Sequence, residues 1–105
     1  MSSINCVLLN NSLVSESYTI DSGIILSKCG KICSLTFSGI SIASVLNISE
    51  SLERYNAMPI NTFYSYMEMS SSTPKITWID TFGMVYHNAG GSQTFYGTIH
   101  YIAKN

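Results

Sequence analysis

Charge is what this sequence has least of. Asp, Glu, Lys and Arg make up 10% of its 105 residues, against about 25% in an ordinary soluble domain. The formal net charge is −1, so there is no basic field for nucleic acid and no polybasic patch for a membrane surface. Long apolar runs are missing too, which excludes a transmembrane helix and membrane insertion through one. The opening residues, MSSINCVLLNNS, lack the positive start and the long apolar core of a signal peptide. Proline occurs twice and cysteine three times, without a CxxC pair. An odd count with no ligand spacing favours reduced, mostly buried thiols.

Chemical motifs are as scarce as charge. No GxSxG is present, and the many serines have no base beside them, so no nucleophile is set up. The acidic residues are Glu16, Asp21, Glu50, Glu53, Glu68 and Asp80. A glycosidase needs two carboxylates facing each other across a cleft, and nothing sets Glu68 and Asp80, the two on predicted strands or their ends, opposite one another. His87 and His100 are the only imidazoles. With Cys33 they could meet at a metal only through the tertiary fold, since no HxH or CxxC exists locally. No catalytic residue, metal or cofactor is therefore expected.

What is present is β-forming sequence, polar through Ser, Thr and Asn. The chain is long enough for one domain with one hydrophobic core. Its clearest element is a hairpin through Gly30-Lys31, where Gly in the first central position suits a type II′ turn. Counting outward pairs Cys29 with Ile32, Lys28 with Cys33, Leu26 with Leu35 and Ile24 with Phe37. The apolar residues fall on one face and Ser27, Ser34 and Thr36 on the other, as a half-buried antiparallel pair requires. This register puts Cys29 and Cys33 on opposite faces, against a disulfide between them. The apolar phase shifts at Ser38-Gly39, which predicts a bulge or bend and a strand able to pass from one sheet of a sandwich to the other.

Residues 1–12 read as an edge strand or a connection to an upstream shaft, and residues 13–105 as a single β-sandwich domain. Leu13–Ile20 is β-prone and ends at the turn Asp21-Ser22-Gly23. Ala43–Asn61 is the least strand-like part, with at most one helical turn before Pro59, and is expected to be an extended crossing loop. Asn61–Met69 predicts a strand with Phe63, Ser65, Met67 and Met69 inward and Tyr64, Tyr66 and Glu68 outward. Ser70–Pro74 reads as a polar loop. Lys75–Asn88 predicts a hairpin turning through Asp80-Thr81-Phe82-Gly83, with Trp78 opposite Tyr86 and Ile79 opposite Val85. Gln93–Ala103 closes the chain, with Phe95, Ile99, Tyr101 and Ala103 inward and Tyr96, Thr98, His100 and Ile102 outward. Many short strands with close turns predict an all-β antiparallel sandwich of the jelly-roll kind.

Candidate binding residues follow from the aromatics. Tyr64, Tyr66, Trp78, Tyr86, Tyr96 and His100 could offer flat rings and polar tips for stacking on sugars. Tyr64 and Tyr66 are the better candidates for exposure. Trp78 is weighed toward the core, because it shares a face with Ile76, Met84 and Tyr86.

A Gly-Lys hairpin opens a β-rich strand at Gly30-Lys31-Ile32-Cys33-Ser34-Leu35, and a proline-ended loop at Leu52–Pro59 leads to the strand Asn61–Met69. A hairpin at Trp78–Tyr86 and a last strand with Gly97-Thr98-Ile99-His100-Tyr101 complete a pattern spanning about Gly23 to Ala103. It resembles the C-terminal receptor-binding (head) domains of bacteriophage tail fibres and baseplate proteins. The resemblance implies a homotrimeric, non-enzymatic adhesin at the phage tail tip, made in the bacterial cytoplasm and carried outside in the virion. Its partners would be upstream fibre or baseplate components and a bacterial cell-surface glycan. The alternatives are a structural trimerisation or baseplate module without its own ligand, and a small carbohydrate-active enzyme.

Overall fold

The computed structural model describes residues 16–69, 72–88 and 91–104; the strand or connection expected at residues 1–12 lies outside them. The described strands are β1 (Glu16–Asp21), β2 (Ile24–Cys29), β3 (Ile32–Ile42), β4 (Val45–Asn47), β5 (Phe63–Met69), β6 (Ser72–Ile79), β7 (Met84–His87) and β8 (Gln93–Ile102). They form one curled sheet in the order β1-β2-β3-β8-β5-β6-β7-β4. Every neighbouring pair is antiparallel, so the all-β antiparallel expectation is met. One helix, α1 (Ser49–Arg54), follows β4.

The β2–β3 register is the expected one at every pair, from Cys29 opposite Ile32 to Ile24 opposite Phe37. Gly30 takes φ 62°, the positive φ that the first central position of a II′ turn requires. The phase shift in β3 is a bulge between Ser38 and Ile40, with Gly39 at φ 86°. The strand does not change sheets there. It stays paired with β8 on both sides of the bulge, Phe37 opposite Gly97 and Ile42 opposite Gln93. The extra residue bends the sheet and restores the apolar side chains to the inner face.

The segment Ala43–Asn61 is more ordered than an extended crossing loop. Val45, Leu46 and Asn47 pair with Tyr86, Val85 and Met84, making β4 an edge of the sheet. Asn47 Oδ1 accepts from the backbone N–H of Ser49 at 2.9 Å and from the Ser49 hydroxyl at 2.7 Å, which starts α1. The helix ends in a Schellman arrangement: Ala57 N donates to Leu52 O at 2.7 Å and Asn56 N to Glu53 O at 3.1 Å. Asn56 supplies the left-handed residue at φ 56°. Leu52 and Ala57 are both fully buried, the apolar contact that accompanies this motif. Local spacing could not show this, because the helix is held by its termini and by one buried leucine.

A second departure is at β6, which begins at Ser72 and not after a loop ending at Pro74. Its register against β5 shifts between Met67 and Met69, and Pro74 falls within that irregular stretch, where the missing N–H breaks no regular ladder bond.

The core fills the concave face. Ile24, Leu26, Leu35, Phe37, Ile79, Val85, Phe95 and Ile99 join Leu52 and Ala57 in one buried cluster. Phe37 and Phe95 meet edge to face at 6.1 Å. Tyr101 is buried with them, and its hydroxyl donates to Ala57 O at 2.7 Å, tying the last strand to the end of the helix. Tyr18 of β1 stacks on Tyr55 at 3.9 Å, which fastens the edge strand to the same helix end.

Cys29 is disulfide-bonded, a correction to the expectation of reduced thiols throughout. Its partner is not Cys33, which is free and buried. Burial pushes the Cys33 thiol above its ordinary value, as expected for an unreactive core cysteine.

Candidate binding face

Alternation along each strand puts the apolar set inward and leaves a second set on the convex face. Cross-strand pairs carry that face without a break: Ser34 opposite His100 and Thr36 opposite Thr98, Tyr96 opposite Glu68, Tyr64 opposite Trp78 and Trp78 opposite Tyr86. All six candidate residues, Tyr64, Tyr66, Trp78, Tyr86, Tyr96 and His100, therefore lie on this one outer face. Trp78 belongs to it and not to the core. Its neighbours Ile76, Met84 and Tyr86 are half-buried like itself, so their apolar character comes from packing among themselves on the outside of the sheet.

The six do not have the same part. Trp78 stacks on Tyr86 with ring centroids 5.5 Å apart and planes 15° from parallel. Its other side meets Tyr64 at 6.1 Å with a 37° tilt. Both faces of the indole are thus turned toward neighbouring rings, which makes Trp78 a support and not a stacking platform. Tyr86 is held from below: its hydroxyl donates to Asp80 Oδ2 at 2.9 Å, and that bond holds the Tyr86 phenol above its ordinary pKa. The rings left open are those of Tyr64 and Tyr66, 62% and 73% exposed, and Tyr96, 48% exposed. One edge of the Tyr96 ring lies where a side chain on Gly39 would stand, 3.4 Å from the Cβ position, so the bulge glycine seats it. His100 is exposed on β8, beyond Thr98; Thr98 and Thr36 face each other with hydroxyls 3.3 Å apart.

The acidic pair does not make a hydrolytic centre. Asp80 is consumed by its turn, with Oδ1 accepting from the N–H groups of Phe82 and Met84 at 2.9 and 3.1 Å. Glu68 is five residues along β5 from Phe63, which pairs with Ile79 beside Asp80, a separation of about 17 Å at strand rise. Glycosidase carboxylates stand roughly 5 to 10 Å apart.

The histidines are on opposite faces. His87 is buried, with Nε2 donating to the carbonyls of Ile42 at 3.2 Å and of Ala43 and the ring edge-on to Phe95 at 5.0 Å. It ties the end of β3 to β7. Among the described residues no three His, Cys, Asp or Glu side chains are grouped so as to hold a metal ion. A cleft of about 350 Å³ lies beside the end of α1, lined by Glu53, Asn56, Met58 and Lys104; none of the six aromatic-face residues borders it.

The class defined by these features is an all-β antiparallel domain with a closed inner core and an open aromatic outer face. Compared with known proteins, the sequence matches no family model and no curated protein.

Proposed function

We propose that this chain is a non-enzymatic binding domain that holds cell-surface carbohydrate on its outer sheet face. The observation that carries the reading is the exposure of Tyr64 and Tyr66 beside a Trp78–Tyr86 stack that fixes their surroundings. Rings with hydroxyl tips, braced by packing, offer a sugar an apolar face and hydrogen bonds with little entropy left to lose. A buried His87, an Asp80 occupied by its turn and a distant Glu68 supply no acid–base pair for bond cleavage, which favours binding over catalysis.

In line with the resemblance described above, we extend the proposal to a receptor-binding domain of a phage or prophage tail fibre, working as a homotrimer. The far end of the same outer face, beyond the Ser34–His100 pair, supports association. Ile32 and Ile102 are exposed cross-strand partners, and exposed Ile60 joins them through its N–H bond to Ile102 O at 2.9 Å. Such an apolar patch on a weakly charged chain suits a subunit contact, and three copies would multiply weak sugar sites through avidity. The test has two arms. A glycan array or whole-cell binding assay with Tyr64→Ala and Tyr66→Ala should show lost binding with unchanged thermal stability; binding that survives the double substitution refutes the site. Light scattering should give a trimer that Ile32→Lys and Ile102→Lys dissociate. A monomer at micromolar concentration refutes the assembly.

A further inference from the structure

The outer face has a charge pattern as well as an aromatic one. The chain's basic residues are Lys28, Lys31, Arg54, Lys75 and Lys104, and none of them lies on it. Lys28 follows the inward parity of Leu26 and bonds Gly30 O through Nζ at 2.7 Å. Lys31 is in the β2–β3 turn, Arg54 ends α1, and Lys104 follows β8. Lys75 pairs with buried Met67 and so points to the inner side of β6. Glu68, by contrast, is exposed on the outer face, two residues from Tyr66 and directly opposite Tyr96. Its carboxylate makes no ion pair or hydrogen bond to a described residue. An unpaired carboxylate is thus set among open tyrosine rings, whose faces carry negative electrostatic potential, on a face where no Lys or Arg is placed.

We propose that the outer face selects a positively charged saccharide, an amino sugar with a free ammonium group, which Glu68 pairs while Tyr66 and Tyr96 receive the ring and the cation. The inference deepens the carbohydrate reading and rests on it. Ammonium groups are attracted both by an unpaired carboxylate and by aromatic faces, while a uronic or sialic acid would meet repulsion from Glu68 and find no Lys or Arg to bind it.

The test compares glucosamine oligomers, N-acetylglucosamine oligomers and galacturonate oligomers at one near-neutral pH by titration calorimetry with the full chain. The free-amine oligomer should bind about three- to ten-fold more tightly than its acetylated counterpart, and the advantage should shrink with added salt. Glu68→Gln should remove most of that advantage, and Tyr66→Ala should weaken binding of both oligomers. Equal affinity for the charged and acetylated oligomers, preference for galacturonate, or a selectivity undiminished by Glu68→Gln overturns the inference while leaving the carbohydrate reading standing. Binding of a lysine-rich peptide as tight as that of the amino sugar overturns the saccharide assignment. No binding of any oligomer refutes the carbohydrate reading itself.

Discussion

Replacing Gly83 by alanine separates two physical costs that glycine substitutions usually mix. Gly83 ends the β6–β7 turn at φ 77°, and its carbonyl accepts from Ile48 N at 3.0 Å, so the start of α1 is pressed against the turn. A Cβ on Gly83 would stand 2.7 Å from Ser49 Cα, 3.0 Å from Ser49 Cβ and 3.2 Å from Met58 Sδ. The first contact is backbone and cannot swing aside. Gly30 is the natural control, with φ 62° and nothing within 4 Å of its Cβ position. Positive-φ strain alone costs roughly 1–3 kcal/mol, the value expected for Gly30→Ala. Gly83→Ala adds overpacking of about 1–3 kcal/mol, a total of roughly 2–6 kcal/mol out of a stability on the order of 5–15 kcal/mol. Urea unfolding followed by fluorescence of Trp78, the only tryptophan, would read the difference as a fall in midpoint at constant slope. Asparagine tolerates the left-handed region but still has a Cβ, so Gly83→Asn should recover little of the loss. Equal losses at the two sites, or recovery by Gly83→Asn, would refute the close approach of α1 to the turn.

Two further substitutions probe buried polar groups. Thr77 is fully buried on the inner face opposite His87, and its hydroxyl has no hydrogen-bond partner among the described residues; Thr77→Val should leave stability unchanged or raise it by up to about 1 kcal/mol, and a loss of that size in the same urea assay would show that the hydroxyl is satisfied. Tyr101 has its pKa raised, first by burial and then by the neighbouring Cys33, so the folded state favours the neutral phenol. That contribution is complete below the ordinary tyrosine value of 10.0 and is lost as pH rises above it. Unfolding midpoints measured from pH 8 to 12 should therefore fall on the alkaline side, and Tyr101→Phe should flatten that fall while costing about 1–3 kcal/mol at neutral pH through the orphaned Ala57 carbonyl. A Tyr101→Phe profile that still falls as steeply would assign the alkaline limb to another group.

The parts of the fold legible in the sequence are those fixed by local pairing. Gly30-Lys31 sets a register by turn geometry, and Asp80 through Gly83 sets another, so Leu26–Leu35, Trp78–Tyr86 and Ile79–Val85 follow by counting. Parity then sorted Tyr64, Tyr66, Tyr96 and His100 to the outside. Long-range decisions were not legible. Whether the bend at Gly39 changes sheets depends on β8, some 60 residues away, continuing its ladder past the bulge. The helix depends on Leu52 finding the core and on Asn56 accepting a left-handed turn, neither of which has periodicity. The apolar character of its strand face argues for Trp78 in the core, yet an aromatic ladder on the exterior has the same composition as a buried strand face. Neighbouring rings half-cover it, and no alternation along one strand can reveal neighbours on two others.

That last point decides how the outer face should be read. Single exposed aromatic residues need no explanation on a protein surface, and an aromatic ladder can exist purely to stiffen a sheet. Trp78 and Tyr86 fit that second account: each is half-buried, stacked, and in Tyr86's case tied to Asp80. Tyr66 fits neither, and Tyr64 fits only in part, since it touches Trp78 yet is 62% exposed. Stiffening β5 is already provided by Met67 and Met69, both buried on its inner face, and by a regular ladder with β6 from Phe63 to Met67, so two large exposed rings on its other side add little to stability. Their exposure costs solubility in a chain with few charges to offset it. Such a cost is consistent with use of the surface, and it is Tyr64 and Tyr66, with Glu68 and Tyr96 beside them, that a ligand could reach without displacing anything the fold needs.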